Sequence, residues 1–414
     1  MNRAENAAAA TTLAQDEAPC HLPRVALVCD FLEEGWPSMD LFGDMLAGSF
    51  QSGHASEIAV AQLRPPVRRR FSSLPLAGSS GFLWNADRFL NRFRDYPRWL
   101  AKQAAKFDLF HIVDHSYAQL ALDLPPGRTI VTCHDLDTFR CVLEPQAEPR
   151  PRWFRVMTQR ILDGFLRSAH VITPSVSTRS QLLQHGLFRE ERVTAIPPGA
   201  DPIFSAPLDP AAREEAVRLV GGTDRVFLLH VGSTIRRKRI DVMLRVFARV
   251  RREFPGIALV RVGGAFSREQ AHLANDLGVA ASILHASYLS KATLAAIYRK
   301  AAILLQTSDA EGFGLPVIEA MTCGCPALAS DIAPLREAGG SAAEYCPVAD
   351  VEAWSETLLK LLREREARPD QWEARRAGAR RHASVYTWSE NANRTLAIYR
   401  RVIHQASTTM ACSS

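Results

Sequence analysis

The sequence predicts an α/β protein of two doubly wound parallel sheets, on three observations. Short apolar runs recur along the chain. Each ends in a small or polar turn before a stretch of helical periodicity, as strands buried between helix layers do. The 414 residues give room for two or three domains. Finally, the second half carries a basic loop over 232–239 and an acidic Gly-x-Gly turn over 311–319. Both follow apolar runs, at the carboxyl ends of strands where such sheets collect ligands.

Arg24–Asp30 is the first strand. A loop with Gly35 follows, then a helix carrying Leu41, Met45 and Leu46. The loop lacks G-x-G-x-x-G, which argues against a dinucleotide oxidoreductase. Ile58–Ala61 is the second strand. Residues 64–106 are the most basic part of the chain, with Arg88, Arg92, Arg94 and Arg98 interleaved with Phe89, Phe93, Tyr96 and Trp99. A helix of this kind either lays its apolar face on the sheet or meets an anionic membrane or lipid phosphate. No nucleic-acid-binding module surrounds it, so nucleic acid is not an expected partner.

Phe107–His115 and Arg128–Asp135 are strands running into loops. The second ends in His134-Asp135, a site element by position. His111 and His115 read first as structural. Ala169–Ser177 is a further strand, with Ser175 or Ser177 capping the next helix. Val193–Asp201 closes the first half, and residues 202–223, rich in Pro, Ala and Asp, read as a linker.

Arg225–Gly232 opens the second half and leads into Gly232-Ser233-Thr234-Ile235-Arg236-Arg237-Lys238-Arg239. Consecutive cations after a strand suit a diphosphate, the Arg as a planar fork and the Lys as a compact charge. Ile257–Gly264 is the next strand and ends in paired glycines. Ile283–Leu289, Ala301–Ser308 and Ala327–Ser330 follow. Between the last two lies Glu311-Gly312-Phe313-Gly314-Leu315-Pro316-Val317-Ile318-Glu319. Pro316 places a helix start inside the motif. Free N–H groups at that start favour a diphosphate, and Gly312 and Gly314 permit close backbone approach. Glu319, about one turn into the helix, is placed to hold a ribose diol, and Glu311 to hold sugar hydroxyls.

The bulk numbers narrow the classes. The net charge of +6 favours acidic partners. The eight cysteines show no zinc spacing and suit a reducing cytoplasm. No run approaches the roughly 18 apolar residues of a spanning helix, and residues 1–22 lack a signal-peptide core and read as a mobile tail.

These motifs resemble glycosyltransferase family 4, the retaining "glycosyl transferases group 1". The likeness runs over about 24–405 and is densest over 228–330. It implies the GT-B fold, with two Rossmann-like domains facing across a cleft. The acceptor domain would span 23–203 and the nucleotide-sugar domain 204–385. A C-terminal helix over 386–406 would cross back to the first domain, leaving 407–414 as a tail. The resemblance further implies metal-independent transfer, with no cofactor, from a UDP- or GDP-sugar to a saccharide or lipid-linked acceptor. The setting would be cytoplasmic, on the inner membrane face where it is peripheral. Arg237, Lys238 and the N–H groups of Phe313, Gly314 and Leu315 would carry the leaving diphosphate. Glu311 would hold the sugar ring, and His134 a sugar hydroxyl. Gly35, Gly232, Ser233 and Gly264 would line the substrate, with Tyr288 and Leu289 at the base. Two positions depart from the family: Pro198 replaces the usual Asn of the linker strand, and Ser233 an Arg that some members carry. Another two-domain sugar-nucleotide enzyme such as an epimerase, and a non-catalytic nucleotide-sugar-binding scaffold, are the alternatives.

Overall fold

The computed structural model describes residues 22–73, 81–287 and 289–411 and contains two six-stranded parallel sheets. The first holds β1 (Arg24–Val28), β2 (Ala59–Leu63), β3 (Leu109–Ile112), β4 (Thr129–Thr132), β5 (His170–Thr173) and β6 (Val193–Ala195), in the order β2-β1-β3-β4-β5-β6. The second holds β7 (Phe227–Val231), β8 (Ala258–Val262), β9 (Ile283–Ala286), β10 (Ile303–Gln306), β11 (Ala327–Ser330) and β12 (Glu344–Cys346), ordered β12-β11-β10-β7-β8-β9. The expected α/β architecture is therefore present.

The strands form where the apolar runs are, because helices cover both faces of each sheet. Val25, Ala26 and Leu27 on β1 and Leu228 and Leu229 on β7 are fully buried. Each large aliphatic side chain so placed contributes about 1.5–3 kcal/mol of transfer free energy. Chain direction across the sheet reverses between β1 and β3, and again between β7 and β10. Crevices open at such reversals. They lie beside the Gly35 loop, the Gly232–Arg239 loop and the Glu311 turn.

The last helix, Trp388–Ala411, crosses back to the first sheet. Trp388, Leu396, Tyr399 and Val402 pack with Phe42, Leu46 and Phe50. The ring of Tyr399 stacks on Phe50 at 5.3 Å, and its hydroxyl meets His111 Nδ1 at 2.6 Å. His111 is thus a core residue. Burial pushes its pKa down to about 3.

Several expectations need correction. Residues 202–223 are not a bare linker. Asp209 caps a helix over Pro210–Val220 that ends at Gly221 in the left-handed region, and Ala216 and Val220 join the core. Asp before Pro and a terminal Gly are helix signals in their own right. The C-terminal helix runs past 406 to Ala411, with the Ser407 and Thr408 hydroxyls bonded to the Ile403 and His404 carbonyls. Strand β12 and the helices Val351–Ala367 and Pro369–Ala383 went unread. Ser175, not Ser177, caps the Val176–Gln184 helix. Residues 1–21, the closing residues 412–414 and Tyr288 lie outside the described residues.

Candidate active site

The site is built from four loops, each at the carboxyl end of a strand. After β10, the chain turns through Glu311-Gly312-Phe313-Gly314 and enters the Leu315–Thr322 helix. Gly314 caps it at φ 123°, a conformation L side chains avoid, and a Cβ there would press on Leu335. Pro316 sits in the first turn. Leu315 N–H precedes the first intrahelical hydrogen bond, Pro316 has no N–H, and Val317 N–H already donates to the Gly314 carbonyl at 2.9 Å. Phe313 is buried and anchors the turn, its ring 5.5 Å from Tyr386.

Glu311 is the hub. Its side chain is only 7% exposed, yet it receives Lys238 Nζ at 2.6 Å, Gln306 Nε2 at 2.6 Å and Ser308 Oγ at 2.7 Å. Arg237 stands 3.6 Å from its other oxygen. Burial alone would push this carboxyl's pKa up. Lys238, then Arg237 and the Ser308 hydrogen bond, outweigh it and hold the group below the ordinary Glu value. Glu311 is therefore a carboxylate near neutral pH.

Arg237 and Lys238 belong to the short 3₁₀ turn Arg236–Lys238 after β7. Arg237 donates to the Ala310 carbonyl of its own half at 3.1 Å and reaches across the cleft to pair with Asp135 at 3.4 Å and Asp137 at 3.4 Å. Asp135 in turn lies 3.8 Å from His115 Nε2, and His115 Nδ1 lies 3.6 Å from Asp114. A line of alternating charge and imidazole thus joins the first sheet to the second.

His134 is held at the mouth of β4. Its Nε2–H donates to the Val113 carbonyl at 2.8 Å, which leaves Nδ1 as the unprotonated nitrogen of the neutral ring. Burial, with His115 adding to it, lowers the His134 pKa despite Asp114. Phe42 packs edge-on at 5.0 Å. The His134 carbonyl faces Gly312 so closely that a Cβ on Gly312 would collide with it. Thr178 Oγ1 donates to the Gly312 carbonyl at 3.3 Å. Glu337 of the second half accepts from Val176 N at 2.8 Å and 3.0 Å, at the start of a first-half helix. The two halves are in contact at all three points.

Glu319 is buried, with Tyr298 Oη donating to it at 2.9 Å. Burial raises its pKa to about 7, against that hydrogen bond. Gly232 stands at φ 155° beside the Lys238 stem, and Gly264 offers its carbonyl to Arg261. Ser233 is exposed, and Leu289 packs on the core edge. Gly35 ends the Leu32–Glu34 turn in the left-handed region, on the first half's side of the cleft. The sequence reading passed over Asp137, Gln306, Ser308, Glu337 and Arg261. Gln306 and Ser308 flank the acidic turn and were within reach of it; Glu337 carried no local signal.

Two family models match: "Glycosyltransferase Family 4" over residues 48–204 and "Glycosyl transferases group 1" over 213–377. The chain is a member of glycosyltransferase family 4. This family 4 chain is 27% identical over 286 residues to the D-inositol 3-phosphate glycosyltransferase of Mycolicibacterium paratuberculosis, covering 67% of the chain and 62% of the relative. It is 32% identical over 226 residues to D-inositol 3-phosphate glycosyltransferase 1 of Catenulispora acidiphila, covering 51% and 52%. It thus spans under two thirds of the length of these relatives. Among solved structures, sucrose-phosphate synthase from Thermosynechococcus elongatus matches at TM-score 0.69 and 19% identity, covering 92% of this chain and 100% of that one. Anabaena HepE in complex with UDP and glucose matches at 0.68 and 15%, covering 92% and 100%. The fold is GT-B, with the C-terminal helix crossing back as expected.

Proposed function

We propose that this chain is a retaining glycosyltransferase, taking a glycosyl group from a nucleoside diphosphate sugar to a saccharide or lipid-linked hydroxyl. The observation that carries the reading is the Arg237–Lys238–Glu311 cluster beside a helix start, paired across the cleft to Asp135. The donor's C1–O bond breaks and its electron pair leaves with the diphosphate. The acceptor oxygen bonds to C1 on the same face, and its proton passes to the departing phosphate oxygen. Arg237, Lys238 and the N–H groups at Phe313–Leu315 stabilise the charge that develops on the diphosphate. Such preorganised groups are worth about 10²–10³ in rate each. Their charges supply what a metal supplies elsewhere, so the reading needs no metal and no cofactor. Glu319 holds the ribose, Glu311 the sugar ring, and His134 Nδ1 accepts from a sugar hydroxyl. UDP is favoured by the likeness to HepE, which binds UDP and UDP-glucose, and a phosphorylated polyol acceptor by the likeness to the D-inositol 3-phosphate glycosyltransferases.

The first half also suits a peripheral place on the inner face of the membrane. Phe82, Phe89 and Trp36 are 79%, 50% and 52% exposed, and Arg88 pairs with Glu34 to bring their segments together. Among the described residues no helix is long and apolar enough to cross a membrane. Vesicles of anionic phospholipid should sediment the protein and neutral ones should not.

The test is incubation with UDP- and GDP-sugars and lipid or saccharide acceptors in the presence of a chelator, with products read by mass spectrometry and anomeric NMR. Transfer with retained configuration is expected. An inverted product, a chelator-sensitive reaction or an epimerised donor would each refute the corresponding part.

A further inference from the structure

Arg261 stands out as a charge without a counter-charge. It lies on β8, inside an otherwise apolar run, and is fully buried. Its NH2 group donates to the Gly232 carbonyl at 2.9 Å. Its NH1 group donates to the Gly264 carbonyl and meets His285 Nε2 at 3.0 Å. The Phe266 ring lies 5.2 Å from its Cζ, and its Nε has no partner. Among the described residues no carboxylate pairs with it. Burying a guanidinium against neutral acceptors is unfavourable compared with an aliphatic side chain of the same length. Packing alone therefore does not explain an Arg here.

Its position does. The carbonyls it holds belong to the loops after β7 and β8, the strand ends beside the cluster described above. Those loops touch: a Cβ on Gly263 would collide with the Gly232 carbonyl, and the Lys238 stem passes within 3.8 Å of where a Gly232 Cβ would stand. Beneath them lies a second oddity, His230, fully buried with both ring nitrogens unpartnered. Burial, then Arg261 and Lys238, push its pKa down to about 3. His230 is thus neutral near pH 7 and offers Arg261 no compensating charge. On the exposed side, Lys238 and Arg237 are already paired with Glu311, Asp135 and Asp137. Among the described residues, Arg261 is a buried cation under this seat that no carboxylate neutralises.

We propose that Arg261 is a positioning residue and built-in counter-charge for the donor's diphosphate, fixing the Gly232 and Gly264 loops and leaving its own charge for the ligand to balance. The inference rests on the nucleoside diphosphate sugar reading and adds a group to it. It makes discrimination of diphosphate from monophosphate depend on a side chain that never touches solvent.

Calorimetric titration of the full chain with UDP, UMP, GDP and GMP tests it, using whichever base the wild type binds. Arg261→Met should weaken diphosphate binding on the order of tenfold while moving monophosphate binding far less, because the lost term scales with ligand charge. Arg261→Lys keeps the charge and should keep the diphosphate preference. A donor KM that rises more than kcat falls is expected in the Met variant. Equal weakening of both nucleotides in Arg261→Met would leave Arg261 a structural residue and overturn the inference. Should that variant not fold, loss of the preference in Arg261→Lys overturns it equally. Wild-type protein that binds neither UDP nor GDP would sink the donor reading itself.

Discussion

The two faces of the cleft are built on the same plan and finished differently. On the second half, Glu311 is surrounded by Lys238, Arg237, Gln306 and Ser308, all within one short turn of a strand end. On the first half, buried polar atoms stand without a side-chain partner: both oxygens of Asp30 and Glu34 Oε1. Buried polar groups left unpaired are costly; on the first half they gather at the mouth of β1, and on the second half they lie beneath the Glu311 cluster, at His230, Arg261 Nε and Gln306 Oε1. The Glu311 face is tied together by the protein's own ion pairs. The first-half face carries polar atoms for something else to satisfy, and under the proposed function a polyhydroxylated acceptor has the hydroxyls to do it.

The largest way to break that contrast is Lys238→Ala. It removes the closest cation from Glu311 and from the proposed leaving group, and kcat/KM should fall about 10²–10³-fold. Undiminished turnover would show that the charged face is not the working one. Gly312→Ala comes next. Its Cβ meets the His134 carbonyl, so the halves must part, and misplacement of about 1 Å costs on the order of 10² in rate. Nucleotide binding, which the proposed function assigns to the second half, should survive; a matching loss of both would put the contact inside the donor site.

A smaller effect sharpens the first-half side. Burial, then Asp114 and Asp40, raise Asp30 from 3.8 to about 7. The folded protein therefore holds a proton that the unfolded chain releases, and stability from this group falls as pH rises through that window. Asp30→Asn should be more stable than wild type by about 1–3 kcal/mol above pH 8, with the gap closing as pH falls from about 7 toward about 4. Melting curves with no pH-dependent gap would place Asp30 in contact with a compensating group. Smallest is Glu337→Gln, which removes the carboxylate from the Val176 helix start, a contact of about 0.3–1 kcal/mol. Small-angle scattering should then show a slightly larger radius of gyration; an unchanged one would mean the halves are held by other contacts.

The same contrast decided what the sequence made legible. The second-half face is local: Lys238 follows β7 within one loop, and Glu311, Gly312 and Gly314 are neighbours, so spacing and residue type point to them. The fold was legible for a related reason, since apolar runs such as Val25–Val28 and Ile303–Leu305 are strands wherever both faces are covered. The first-half face is assembled from afar. Asp30, Glu34, Arg88, Arg92 and Tyr117 meet only after β1, β3 and the Gly81–Leu90 helix are in place, and no motif spans them. Arg261 was invisible because it sits within a run that reads as strand. The Pro210–Val220 helix was missed because its cap and first-turn proline also read as linker composition.

The first sheet cannot be finished when its own strands are made. Its outer face is closed by Leu396, Tyr399 and Val402, and the buried His111–Tyr399 hydrogen bond joins residues 288 positions apart. At a synthesis rate of roughly 5–20 residues per second, Phe42, Leu46 and Phe50 wait some tens of seconds on the ribosome for their cover. Any nascent chain halted before that helix emerges leaves this apolar flank uncovered. The oldest residues of the chain are therefore among the last to be sheltered.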